Sequence, residues 1–299
     1  MFHGILPIYK PKGYTSHDIV DKIRQVMRQK RVGHTGTLDP EAEGVLPICI
    51  GQATRIVEYI QELPKRYRAT MTLGIATNTE DQTGEVIEQK EVTLPILKEQ
   101  IDRVFQTFLG EILQIPPMYS AVKIEGKRLY EWARQGKTVG RKSRKVMIYS
   151  LNCLGIQQGP YPKIVFDVVC SKGTYIRTLC VDIGKQMGYP AHLSHLVRTE
   201  SRPFRLEDCY QLDQILALQT DQDKQEILYA IDEVLGQFPS VVIRDDDIKH
   251  IENGLPLVIE NSFPLSCIRV YSESGKFCAL YRYEGGIARP EKVFRDVTN

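Results

Sequence analysis

The chain has no CxxC pair, no internal repeat, no low-complexity tract and only one tryptophan in 299 residues. Its seven cysteines, at 49, 153, 170, 180, 209, 267 and 278, are odd in number and lack metal-ligand spacing, which argues against a disulfide framework and a structural zinc site. Most lie in apolar stretches such as PICIG and FDVVCS, the setting of reduced, buried thiols. His192 and His195, three residues apart in HLSH, have no cysteine or acid ligand beside them and read as a plain helical or loop pair. No metal is expected. No segment approaches the roughly 18 uncharged apolar residues of a membrane helix. The opening MFHGILPIYKPKG lacks the cationic start and long apolar run of a signal peptide, so the expectation is a cytoplasmic protein without membrane contact. The phosphate-loop pattern GxxxxGK[ST] is missing from the most glycine-rich stretch, GHTGTLDPEAEG, which makes a nucleotide-phosphate cradle a weak reading of it.

What is present is an ordinary globular composition, 42% hydrophobic and 25% charged, long enough for one large domain or one plus a small one. A net charge of +2 says nothing about partners; its distribution says more. From Lys123 to Lys145 there are nine Lys or Arg against two Glu, interleaved with Tyr130 and Trp132. A basic segment carrying aromatics suits a phosphate backbone and unstacked bases. It is equally compatible with a solvated basic loop.

The opening GILPIYKPKGYTS reads as a short strand and a Pro/Gly turn that presents Lys10 and Lys12. Ser16 is placed to cap a helix whose apolar Ile19, Ile23, Val26 and Met27 share a face, with Gly33 as the stop. KRYRATMTLGIAT alternates as a strand, and NTEDQTGEVIEQ is a turn into another. A helix follows around LPILKEQIDRVFQTFLG, ending at Gly110. KVMIYSLNCLGIQQ and KIVFDVVCSKGTYIRTLCVDIGKQMG give two strands, a Lys-Gly turn and a helix. GQFPS breaks an apolar helical run, ILYAIDEVL, and VVI, CIRVYSES, KFCALYRYEGG and KVFRD are short strand candidates beyond it. Strands and helices without a βαβ repeat predict an α+β fold with a mixed sheet and a small β-rich C-terminal domain.

The stretch RVGHTGTLDPEAEGVLPICIG poses the functional question. Asp39 before Pro40 fits a turn, its carboxylate bonding its own backbone. It also fits a reactive carboxylate on a rigidly anchored, glycine-rich loop that lets a ligand approach closely. Taken in order, GHTGTLDPEAEGVLPICIGQATR, KRYRATMTLGIATNTEDQTGEV, IPPMYSAVKIEGKRLYEWARQG and CSKGTYIRTLCVDIG resemble the TruB-type tRNA pseudouridine-55 synthase family of bacteria, from about Gly4 to at least Arg198. The C-terminal stretch resembles that family's PUA-type RNA-binding domain more loosely.

The resemblance implies a pseudouridine-synthase fold, mixed and mainly antiparallel, with a catalytic domain over 1–235, a basic RNA-binding segment at about 119–146, and a PUA-like domain over 236–299. It implies isomerisation of one T-loop uridine of tRNA, with the base flipped out and no cofactor. Asp39 matches the family's essential aspartate, with attack at C1′ or C6 or proton removal at C2′ all open. Arg177 matches the arginine that pairs with it, since a carboxylate closed off from water stays ionised beside a guanidinium. Tyr67 matches the tyrosine that stacks on the target base and is a candidate to take the C5 proton, although a phenol is a poor base unless perturbed. Tyr175 and Leu196 match positions lining the uracil pocket, and His34 the histidine associated with the flipped nucleotides. Lys10 belongs to another family motif and receives no role. Lys123, Lys127, Arg128, Lys137, Arg141 and Lys142 fall where a segment folds over the RNA and would bind phosphates without reading bases. The expected partner is the tRNA T-stem-loop, and the chain is read as a monomer with no obligatory protein partner. A guide-RNA-dependent relative is disfavoured by the lack of a long basic tail. The rival reading is a tRNA-folding protein in which Asp39 is dispensable.

Overall fold

The computed structural model describes residues 1–259, 263 and 267–295. Its centre is a ten-stranded sheet ordered Tyr210–Gln211, Gly4–Lys10, Glu43–Ile50, Ala191–Ser201, Lys65–Leu73, Lys163–Cys170, Arg144–Gln157 and Gly110–Gln114. Val32–His34 adds to the third of these and Phe204–Arg205 to the fourth. Only two pairings are parallel, Gly4–Lys10 with Tyr210–Gln211 and Glu43–Ile50 with Ala191–Ser201. The sheet is therefore mixed and mainly antiparallel, as expected.

One face carries the helices Ser16–Met27, Lys98–Gln106 and Ile176–Gln186, whose Ile19, Ile23, Ile101, Phe105, Leu179 and Ile183 pack on Leu6, Ile48, Met71, Phe166 and Val168. Behind Gly4–Lys10 and Glu43–Ile50 lies a second core. There Ile5, Val45 and Cys49 meet Ile56 and Ile60, Cys267, Phe277 and Leu280 of the C-terminal strands, and Phe294 just after the last of them. Burial on both faces explains why VLPICI is a near-continuous apolar run and not an alternating one. The C-terminal strands form a separate five-stranded sheet ordered Ser240–Ile243, Cys267–Ser272, Phe277–Glu284, Ile287–Val293, Leu257–Val258.

Several local expectations are corrected. The first helix is capped by Thr15, whose side chain accepts from the Asp18 amide while the Asp18 carboxylate accepts from the Thr15 amide. Ser16 is the first helical residue and its buried hydroxyl serves the neighbouring loop instead. The helix stops at Arg28, which adopts a left-handed conformation, and Gly33 lies in a strand. Lys10 is fully buried where the Pro/Gly turn was expected to present it. HLSH is part of the strand Ala191–Ser201, its histidines bonded to the Ile75 carbonyl (2.8 Å) and to Glu43 (3.0 Å). KRYRATMTLGIAT breaks at Gly74, where a left-handed φ of 92° turns the chain against the Lys90 carbonyl. ILYAIDEVL is not a helix: Tyr229 bridges to Ile5, and only Glu233–Leu235 makes a single 3-10 turn. Pairing with the sheet edge outweighs the apolar periodicity there. The last strand is Ile287–Val293, so KVFRD contributes only its start, and Asp296 lies outside the described residues.

None of the seven cysteines forms a disulfide; six are buried and Cys209 is half-buried. Among the described residues no helix is long and apolar enough to cross a membrane, and no cluster of His, Cys, Asp and Glu could hold a metal ion.

Candidate active site

Asp39 sits on the loop joining Val32–His34 to Glu43–Ile50, and that loop is pinned on both sides of it. Ahead of it, the Ser16 hydroxyl accepts from the Leu38 amide (2.9 Å) and donates to the Leu38 carbonyl (3.2 Å). After it, the Pro40 carbonyl accepts from the Lys10 ammonium (3.2 Å) and the Gly13 amide (2.9 Å). The Ala42 amide donates to the Asp39 carbonyl at 3.0 Å, so the chain does turn here, but through the backbone carbonyl and not through the carboxylate as the turn reading had it. The loop is a turn whose side chain remains free for another task.

That side chain meets Arg177, in the first turn of the helix Ile176–Gln186, with Nε 3.0 Å from Oδ2. The guanidinium is buried, whereas the Asp39 side chain is 45% exposed to the cavity. Arg177 also donates to the carbonyls of Thr79 (3.1 Å) and Tyr119 (2.9 Å), and Asp81 lies 3.9 Å away. With its donors fixed in this way, the guanidinium can present Nε to the carboxylate in one orientation. The turn 78–85 that supplies Thr79 is held by Asp81, which accepts from the Thr79 and Thr83 hydroxyls and the Thr83 amide. Glu80 takes a left-handed φ of 64°, and its carboxylate accepts from the Thr178 hydroxyl at 2.7 Å. Burial, chiefly, raises the Glu80 pKa, opposed by the Thr178 hydrogen bond and by Arg177.

A cavity of about 1040 Å³ opens in front of Asp39. Its lining brings together all six expected centre residues, Asp39, Arg177, Tyr67, Tyr175, Leu196 and His34. Tyr67 stands on the strand Lys65–Leu73, directly across the ladder from Arg198. Burial, chiefly, raises its phenol above the ordinary tyrosine pKa. Tyr175 precedes the Arg177 helix, and its backbone is clamped by buried Gln114, which accepts from the Tyr175 amide (3.0 Å) and donates to its carbonyl (3.2 Å). His34 Nδ1 accepts from the Gly36 amide at 3.2 Å, and burial, followed by the nearby Arg198, lowers its pKa. With Nδ1 accepting from that amide, the ring proton falls to Nε2.

The basic segment forms one wall of this cavity. It folds as a hairpin, Lys123–Ile124 with Lys127–Arg128, followed by the helix Leu129–Arg134. Lys123 and Arg128 line the opening together with Tyr119, Tyr130 and Arg134. Lys127, Lys137, Arg141 and Lys142 lie outside the lining: Lys127 and Lys137 sit 4.9 and 5.9 Å from the Trp132 ring centre, Arg141 donates to the Pro116 carbonyl at 2.9 Å, and Lys142 is exposed. Tyr130 has Arg128 and Arg134 over its ring, at 5.8 and 5.3 Å.

Sequence reasoning missed Ser16 as a loop anchor, Gln114, Lys65 and Arg198. Lys65 is buried in the lining, and its ammonium donates to the carbonyls of Ile60, Gln61 and Leu63 at the end of the helix Val57–Glu62. Ser16, Gln114 and Arg198 act on backbone far away in sequence, so no spacing betrays them, whereas Lys65 bonds carbonyls two to five residues before it.

The fold matches two solved assemblies along 98% of this chain and 85% of the matched subunit in each. One is an H/ACA ribonucleoprotein bound to a substrate RNA containing 2′-deoxyuridine (TM-score 0.74, 24% identity), the other a Cbf5-Nop10-Gar1 complex (TM-score 0.72, 25% identity). This is a pseudouridine-synthase fold with a β-rich C-terminal part. Residues 24–176 match the profile of the TruB family pseudouridylate synthase N-terminal domain, and 177–238 that of the tRNA pseudouridylate synthase B C-terminal domain. Proteins called tRNA pseudouridine synthase B are similar from end to end. That of Halalkalibacterium halodurans is 44% identical over 97% of both chains, and that of Bacillus subtilis 45% over 98% of both. The chain belongs to the TruB family of pseudouridylate synthases.

Proposed function

We propose that this enzyme converts uridine 55 in the T-loop of tRNA to pseudouridine, with Asp39 as the catalytic carboxylate. The observation that carries this reading is the Asp39–Arg177 pair at 3.0 Å, anchored at the base of a cavity that holds Tyr67, Tyr175 and Leu196 and is walled by the basic segment. The reaction breaks the N1–C1′ bond, turns the uracil and joins C5 to C1′. It changes no oxidation state, so a carboxylate, a binding pocket and a proton acceptor suffice.

The target nucleotide must leave its stack to reach Asp39. Tyr67 replaces part of the lost stacking, Tyr175 and Leu196 close on the base, and His34 occupies space among the flipped nucleotides. Lys123, Lys127, Arg128, Lys137, Arg141 and Lys142 hold phosphates of the folded T-arm, recognising its shape. The chain works as a cytoplasmic monomer with no obligatory protein partner, its catalytic domain spanning 1–235 and its PUA-like domain 236–299.

The test is incubation with an unmodified tRNA transcript, followed by carbodiimide labelling and primer extension. A new stop at one T-loop uridine is expected. Tight tRNA binding without any product overturns the reading in favour of a tRNA-folding protein.

A further inference from the structure

Four cations are buried around the Asp39 cavity: Lys10, Lys65, Arg177 and Arg198. Arg177 is paired with Asp39. Lys10 and Lys65 are each pushed down to about 8, chiefly by burial, so either can lose its charge by giving up a proton as pH rises above 8. Arg198 has neither option. It is 1% exposed, it cannot deprotonate, and among the described residues it forms no ion pair. Its Nε donates to the Val45 carbonyl (2.7 Å) and one Nη to the Gly36 carbonyl (3.2 Å). A permanent buried cation with no anion is costly unless a negative charge forms beside it.

The group beside it is Tyr67. The two are direct cross-strand partners, so their side chains share the cavity face of the sheet. We propose that Arg198 is a positioning residue for the last chemical step, the counter-cation of a Tyr67 phenolate that removes the C5 proton; this rests on the isomerase reading above. In that step the C5–H electron pair becomes the C5–C6 π bond, and the C6–N1 π pair moves onto N1. The proton goes to the phenolate oxygen; N1 is then protonated by water, and the phenol returns its proton to water.

The other charged or titratable groups around Tyr67 do not supply this help. Asp39, from the 35–42 loop, opposes a phenolate, and Cys170, from the strand Lys163–Cys170, is a thiol pushed up to about 12 by burial. Lys65, two residues earlier on the same strand, spends its ammonium on three carbonyls. Burial raises the Tyr67 phenol, and Arg198 is the cation that acts in the opposite direction.

The experiment is single-turnover product formation on tRNA carrying deuterium or hydrogen at the target C5, for wild type, Arg198→Gln and Arg198→Lys. Gln keeps an N–H donor for the carbonyls but removes the charge. Expected for it is a rate at least about tenfold lower, with a C5 isotope effect above the wild-type value, because proton removal becomes the slow step. Arg198→Lys should restore the rate and the wild-type isotope effect. A slow Gln variant with an unchanged isotope effect, or a Gln variant at wild-type rate, overturns the proposal. Should Gln fail to fold, a folded, tRNA-binding Lys variant slowed at least about tenfold with a wild-type isotope effect overturns it as well. Absence of product from the wild type would instead count against the isomerase reading.

Discussion

At the scale of single residues, the site depends on side chains that hold backbone and never touch substrate. Ser16 both accepts from and donates to Leu38, the residue just before Asp39. Ser16→Ala leaves that amide and carbonyl without a buried partner, at a cost of about 1–3 kcal/mol. It also loosens the carboxylate by a fraction of an ångström, which for a reacting group is worth about tenfold to a hundredfold in rate. The expected outcome is a kcat lower by that factor with tRNA affinity nearly unchanged, read by steady-state kinetics and filter binding; a wild-type kcat would show the loop to be held without it. Gln114 plays the same part for Tyr175.

At the scale of elements, the basic segment is a module folded on itself, with lysines and arginines over Trp132 and Tyr130. Lys137, Arg141 and Lys142 sit beyond the cavity, where they are assigned to phosphates. Replacing all three with alanine should weaken tRNA binding and reduce the slope of log affinity against log salt by about 2, since each lost phosphate contact removes about 0.7–0.9. An unchanged slope in a binding titration from low to high salt would return the segment to a solvated face.

The elements also show which signals survive in a sequence. The strand KIVFDVVC and the helix after CSKGTY were legible because one sheet face and one helix stripe are buried, which imprints periods of two and 3.6. ILYAIDEVL misled because its apolar residues answer to the second core and to the edge pairing at Ile5, a partner over two hundred residues away. The centre of the site was legible only through ordered motifs. Arg177 alone is a helix arginine, and nothing local announces that Thr79 and Tyr119 orient it. Arg198 and Lys65 were missed since a basic residue in a strand ordinarily faces solvent.

At the scale of the whole molecule, the site places buried positive charge inside a folded core. Lys65 has a folded pKa of about 8, against about 10.4 in an unfolded chain. The folded state therefore disfavours the charged form: below pH 8 the full penalty is present, and it is relieved as pH rises from 8 toward 10.5. Relative to a Lys65→Met variant, wild-type stability should rise over that window, on the order of 3 kcal/mol, in paired denaturant titrations. A difference independent of pH would mean that Lys65 is already solvated in the native protein. The second core, which joins the main sheet to Cys267, Phe277, Leu280 and Phe294, lets such a change be read as one molecule unfolding.

The account as a whole rests on the carboxylate at the base of the cavity. Its most direct measurement is tritium release from tRNA labelled at uridine C5, comparing wild type with Asp39→Asn, which keeps the side-chain shape and removes the charge. Release by the wild type, none by Asp39→Asn, and equal tRNA affinity for both are predicted. Release by Asp39→Asn at the wild-type rate would contradict the catalytic assignment and leave Asp39 a turn residue.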